Sequence, residues 1–400
     1  MRTFIIILCI VVAVILAVAV YLVATTPSDA APLHFPLTAA QQTLLGHVPR
    51  DAEAYGLVAA PVVVLEKLKA NPVTSTAVTQ WTDEHSLPPA AMLGRADAVV
   101  WKSGKTTAYA VRFDPIRALI ARAWTMFTPA QTTWDGRVLI INGTSGAAGF
   151  SPSEDLQLAS GLPDGDVFVV QRQESRGAYP PIGRPAVSSV RVAGDHLDLV
   201  SRARTNEGDG LKPVLRVDLP KSAMLSVSFT DPPRVLGDLE RLIAADVDAL
   251  IGDGGMVAVY GVDNGTFLPR PYAAVVVPAD DASRATAARY GNVISETREA
   301  NGELVMAFDR NSASQYLKDA KAPVPWPANR WALRMDPVRV IPVLRKIGDN
   351  PALRFATPRL HRGARDLRRW MGALEQAKAI DAAASVTGGV EELRVRVASK

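Results

Sequence analysis

A run of twenty-one uncharged residues, Phe4 to Ala24 (FIIILCIVVAVILAVAVYLVA), constrains the start of this chain more than any other feature. It contains no Gly and no Pro. At about 1.5 Å per residue, a helix of that length covers the roughly 30 Å hydrocarbon core of a bilayer. A cleavable signal has an apolar region of only about 7–15 residues followed by small residues at the cut. Ser28-Asp29-Ala30 has the shape of such a site, but the run is longer, and the expectation is an uncleaved transmembrane anchor over residues 1–24. Cys9, the sole cysteine, follows Ile7-Leu8 and lacks the small residue that a lipoprotein signal places before its Cys. Arg2 precedes the run and the next basic residue is Arg50, so the positive-inside rule leaves the N-terminus in the cytoplasm and the body outside. A body without cysteine carries no disulfide and no thiolate metal site.

The remaining chain is longer than one ordinary core serves, which argues for two domains. With 48% hydrophobic and 21% charged residues over all 400 positions, the chain is globular rather than disordered. A net charge of +4 over 400 residues gives no case for nucleic acid as a partner. The charge is unevenly spread: Arg330 to Arg369 holds eleven basic residues against Asp336, Asp349 and Asp366. Within it, Arg362, Arg365, Arg368 and Arg369 make the best candidate contact surface, for an envelope protein or for anionic lipid.

Strand, turn and helix signals recur along the chain. Ala98–Trp101 and Ala108–Phe113 flank a Lys-Ser-Gly-Lys turn and lead into Asp114-Pro115 and a helical run. The same junction returns at Asp231-Pro232 and Asp336-Pro337, with weaker versions at Ala60-Pro61 and Phe308-Asp309. An Asp can accept hydrogen bonds from the open amides of a first helical turn, and Pro at the next position needs no donor, so these residues read as punctuation rather than catalysts. Asp135-Gly136, Gly194-Asp195, Asn264-Gly265 and Asn301-Gly302 supply hairpin turns. Val48-Pro49 and Leu219-Pro220 each open a strand followed by a Pro-started helix and further hairpins.

The expected fold is therefore α+β: a transmembrane anchor (1–24), a Pro- and Ala-rich spacer (25–44), and two related halves (45–210 and 211–400). Each half is expected to be mainly antiparallel sheet with helices on one face. A helix is expected over Arg365 to Ala384, then a turn at Gly388-Gly389 and a closing strand around Leu393–Val397.

Chemistry-bearing clusters are weak. None of His34, His47, His85, His196 and His361 forms a helical metal pair, and neither cofactor nor metal is expected. Asp195-His196-Leu197-Asp198 sets an imidazole among carboxylates, but in a turn and at strand positions that alternate in facing. Asp83-Glu84-His85-Ser86 reads as a solvated turn. The small-residue loop Asn142–Gly149 lacks the spacing of a phosphate loop or of a nucleophile elbow.

Together the anchor, the Val48-Pro49-x-x-Ala strand start with its following apolar helix, and the stretches Asp248–Val259 and Ala273–Val277 resemble uncharacterised bacterial single-pass envelope proteins with a duplicated extracytoplasmic domain. That resemblance implies location and architecture and brings no catalytic residues. The expectation is an inner-membrane-anchored, non-enzymatic binding or assembly factor with a periplasmic or extracellular body. The alternative is an envelope hydrolase whose site is assembled from residues distant in sequence, such as His85 or His196 with a Ser and a carboxylate.

Overall fold

The computed structural model describes residues 31–84, 93–94, 96–104, 106–127, 131–143, 157–172, 185–205, 218–230, 254–263, 270–349, 361, 364–365 and 371–400. The expected anchor lies outside them. Among the described residues no helix is long and apolar enough to cross a membrane. The chain divides into two compact units, Met1–Gly194 and Asp195–Lys400.

The first unit begins earlier than composition suggests. The stretch read as a spacer carries helix α1 (Ala39–Leu45), capped by Thr38, whose hydroxyl accepts from the Gln41 amide while the Gln41 side chain accepts from the Thr38 amide. Leu33 exchanges two backbone hydrogen bonds with Gly165, and Leu33, Leu37, Leu44 and Leu45 are buried. A few well-spaced leucines thus fix a segment whose Pro and Ala content reads as linker.

Strand β1 (Ala54–Val58) follows, then helices α2 (Pro61–Ala70) and α3 (Ser75–Glu84). The hairpin β2 (Ala98–Ser103) and β3 (Thr106–Arg112) leads into α4 (Pro115–Thr125). A second hairpin, β4 (Thr132–Asp135) and β5 (Val138–Ile141), precedes β6 (Val167–Gln171) and β7 (Ala186–Val192). All pairings are antiparallel, in the order β7-β6-β1-β2-β3-β5-β4. Tyr109, Val111, Leu139 and Ile141 of this sheet pack with Ala118 and Ala121 of α4.

In the second unit the main sheet comprises β8 (His196–Arg204), β10 (Leu225–Phe229), β11 (Gly255–Asp263), β12 (Arg270–Pro278), β13 (Glu296–Ala300), β14 (Glu303–Ala307), β16 (Trp331–Met335), β17 (Ala377–Thr387) and β18 (Val390–Ser399). Its order is β13-β14-β12-β11-β10-β16-β17-β18-β8, again antiparallel. Strands β9 (Asp218–Pro220) and β15 (Lys321–Pro323) pair separately. Its described helices include α5 (Asp281–Arg289), α6 (Ser312–Lys318) and α7 (Pro337–Asp349). The boundary falls before β8 rather than near residue 210, because β8 pairs along its length with β18.

Read from β17, the second unit runs β17-β16-β10-β11-β12-β14-β13, the connection order that the first shows from β7. In each, a hairpin is followed by a helix and then by an edge hairpin, with α4 and α5 in the same place. Strands β1 and β10 also share their burial phase, with Tyr55 and Leu57 buried in one, Ser226 and Ser228 in the other.

Two expectations are corrected here. Helices flank both faces of the second sheet: Ala287 of α5 packs with Val257, Val275, Val277 and Met306, whereas Ala313 and Tyr316 of α6 pack with Met256, Ala258, Val276 and Val305. The reason is visible in β14, which is buried at every position, and in the buried run that opens β11; strands without a polar face need cover on both sides. Residues 377–384 form part of β17 and not of a helix. Their Ala-rich sequence favours helix intrinsically, but pairing on both sides, with β16 and β18, overrides a preference worth only about 0.5 kcal/mol per residue.

The punctuation reading holds wherever it can be seen. Asp114 accepts from the amides of Ile116 and Arg117, Asp336 from that of Val338, and Asp309 from those of Asn311 and Ser312. Asn301 and Gly302, at φ 54° and 77°, join β13 to β14 as a two-residue loop, a conformation with both angles positive. Gly388 and Gly389 do the same between β17 and β18. Asp231-Pro232 and Asn264-Gly265 lie outside the described residues.

Candidate functional site

Part of the charge of the Arg-rich stretch is paired once folded, by counter-ions that come from elsewhere in the sequence. Arg330 donates to Glu391, itself buried, at 2.6 Å. Arg334 donates to Asp381 at 2.8 Å, and Arg345 pairs with Glu375 at 2.7 Å. Arg339 is spent on the backbone, donating to the carbonyls of Ser222 and Tyr260. Of the four arginines singled out as a contact surface, Arg365 is exposed on a helical residue; Arg362, Arg368 and Arg369 lie outside the described residues.

Those pairings form a ladder across four strands. Arg334 on β16 stands opposite Asp381 on β17, which stands opposite Arg396 on β18, which stands opposite Asp198 on β8. The Arg396 guanidinium grips Asp198 with two bonds, 2.7 and 2.9 Å, and lies 5.6 Å from the centre of the Trp326 ring. The Asp198 carboxylate holds the Arg396 pKa above its ordinary value. One step along the sheet, Glu392 takes Arg202 at 2.7 Å and Arg394 at 2.6 Å. Opposite charges on facing strands stabilise a pairing register, and here they satisfy one another instead of presenting a one-signed surface.

His196 sits at the end of this ladder. Its Nδ1 is 2.7 Å from Asp195 and its Nε2 is 3.5 Å from Asp198. Strand alternation already puts His196 and Asp198 on one face, and Asp195 joins them because it precedes β8 and is not bound by its pleat. The His196 hydrogen bond depresses the pKa of the exposed Asp195 carboxyl. Both ring nitrogens are directed at carboxylates, one of them already held by Arg396, so neither is directed at a hydroxyl nucleophile. His47 lies 3.8 Å from Asp135, and His85 lies outside the described residues. Among the described residues no group of His, Cys, Asp and Glu is placed to hold a metal ion.

A second polar cluster was missed in the sequence. Asp97 accepts from the Gln41 side chain at 3.1 Å and from the backbone amide of Ala60, and burial raises its pKa despite both bonds. Ala60 adopts φ 39°, a left-handed conformation rare for a residue with a Cβ, immediately before Pro61. The carboxylate therefore ties α1 to the strained corner between β1 and α2.

The surface feature with the least internal explanation is the outer side of α4. Its inner side packs on the sheet through Ala118 and Ala121, while Arg117 is buried against Asp114 at 2.8 Å. Outward stand Ile116 (42% exposed) and Leu119 (69%), continued past the helix by Met126 (81%) and Phe127 (87%). Spaced three, seven and one residues apart, these form an apolar stripe along one side of the helix and its end. The corresponding helix of the second unit, α5, turns Asp281 and Arg284 outward, with Arg284 held by Asp281 and Glu299. No family model, curated protein or solved structure matches this chain.

Proposed function

We propose that the protein is a single-pass, inner-membrane-anchored factor of a bacterial envelope, with a periplasmic or extracellular body of two related halves. It binds or assembles other components and performs no catalysis. The observation that carries this reading is the exposed apolar side of α4. The same position in the second unit is filled by a polar helix, so exposure of Leu119, Met126 and Phe127 is not a requirement of the architecture. Apolar side chains clustered on a surface are the usual mark of an interaction site. The shared strand order and burial phase of the two units support duplication.

Arg362, Arg365, Arg368 and Arg369 are retained as a second contact surface, for an envelope protein or anionic lipid, supported by the exposure of Arg365. The experiment is in-cell crosslinking of the tagged full-length chain with mass spectrometry of the captured species. A dominant envelope protein, lost when Leu119 and Phe127 are replaced by Gln or the four arginines by Ala, is the expected result. Capture that is the same in all three proteins would remove both surfaces from the account. The hydrolase alternative rests on His196 and its two carboxylates. It requires that His196→Gln abolish an esterase, peptidase or glycosidase activity of the purified chain, and the engagement of both His196 ring nitrogens by carboxylates favours no such loss.

A further inference from the structure

The occupant of the α4 stripe can be named from three features of the same unit. The first is reach. The apolar run ends at Ala24, and the chain is already fixed to the first unit at Leu33 by its bridge to Gly165, so residues 25–32 are the whole tether. Fully extended they span no more than about 30 Å, which keeps this unit beside whatever surface holds the run. The second is composition: α4 (PIRALIARAWT) contains no carboxylate, and its acidic cap, Asp114, is occupied by Arg117 and the helix amides.

The third is the rim. Arg122 is exposed, donates to the Gly136 carbonyl at 3.0 Å and lies 5.2 Å from the centre of the Trp134 ring. Trp124 and Trp134 are half-buried beside the stripe, and Arg137 is exposed. Asp135, the carboxylate of that turn, faces His47. Large apolar residues flanked by Trp and Arg, without acidic residues on the helix, are the pattern of a segment lying in a membrane interface.

We infer that the outer side of α4 rests in the headgroup region of the bilayer that holds the anchor, with Leu119, Met126 and Phe127 in the acyl boundary and Arg122 and Arg137 among anionic headgroups. This deepens the proposed function and rests on its membrane-anchored reading. The depth expected is about 5–10 Å, the usual burial of an interfacial helix. α5 is expected to stay in water, since its outward groups are ion pairs.

The sole cysteine makes a direct test available. In full-length protein with Cys9→Ser, a nitroxide is placed at Leu119→Cys, Phe127→Cys or, as the control, Ala285→Cys, and the chain is reconstituted into phosphatidylglycerol-containing or purely zwitterionic vesicles. The positions are exposed, so the fold is expected to survive, and circular dichroism of each labelled protein checks it. Expected is an oxygen-to-nickel accessibility ratio several-fold higher at 119 and 127 than at 285, largest with the anionic lipid. A ratio at 119 and 127 equal to that at 285 in both vesicle types overturns the inference. So does shielding from both reagents in detergent without lipid, which would place a protein or a second copy on the stripe. A periplasmic reporter fused after Lys400 separates the two failures. An inactive reporter defeats the anchored, extracytoplasmic reading itself, whereas an active one with water-exposed labels defeats only the lipid contact.

Discussion

At the scale of single residues, the informative side chains are those whose environment opposes their charge. Asp97 is the clearest: burial lifts its pKa although Gln41 and the Ala60 amide both lower it. A carboxyl whose pKa is higher in the folded than in the unfolded chain holds its proton more tightly when folded. Its contribution to stability is therefore most favourable in acid and is lost as pH rises through the folded-state value. Asp280 and Glu299 behave oppositely; the Ser283 amide depresses the first and Arg284 the second, and their contribution is lost as pH falls through their depressed values. The Asp97→Asn variant lacks the opposing group. Its stability relative to the parent, measured by urea unfolding at successive pH values, is expected to rise from acid to neutral pH. A difference that stays flat or falls would show that Asp97 is not held against its charge.

Between whole elements, the charge ladder from β16 to β8 shows why a local count of arginines misleads. Arg334 belongs to the basic stretch Arg330–Arg369 by sequence, yet its partner Asp381 lies 47 positions away, and the next rung joins Arg396 to Asp198 across 198 positions. The same limit governed the other misses. Helix caps and two-residue hairpins were legible because Asp114, Asp336, Asn301 and Gly302 act within three residues of themselves. The strand character of Ala377–Ala384 was not, because it depends on two neighbouring strands rather than on alanine's own preference. The spacer reading failed at Leu33 for a like reason, its partner Gly165 being far along the chain. The stripe on α4 combines both kinds: its spacing is written in the sequence, but which side faces the sheet is decided by Ala118 and Ala121 in the packed unit. A double-mutant cycle of Arg396→Met and Asp198→Leu is expected to give a coupling of about 1 kcal/mol, the upper end for partly exposed pairs, and to shrink in high salt. A coupling near zero would reduce the ladder to coincidence of register.

For the molecule as a whole, the two units share an order of connections but differ in what they expose. One turns Leu119 and Phe127 outward where the other turns Asp281 and Arg284. The outer edge hairpin of the second unit is likewise guarded, since β13 places Glu296, Arg298 and Glu299 along a strand that would otherwise invite pairing. If the body is exported as proposed, alkaline phosphatase fused after Lys400 is active in cells, and removing residues 1–24 abolishes that activity. Full activity without the run would disprove its role in export.

The bridge between Leu33 and Gly165 carries a mechanical meaning. Any pull on the N-terminal segment reaches the first unit at this point, through two backbone hydrogen bonds of 2.7 and 3.1 Å and the buried Leu33 side chain. Behind it, α1 is held to the sheet region by Leu44, Leu45 and the Gln41–Asp97 contact. Two backbone bonds are fewer than the five-residue ladders on either side of β1, so under load the bridge is expected to yield before that strand is sheared. The stretch from Leu33 to α1 would then pay out while the sheet stays intact, a strain relief between the N-terminal run and the body if that run is anchored as proposed.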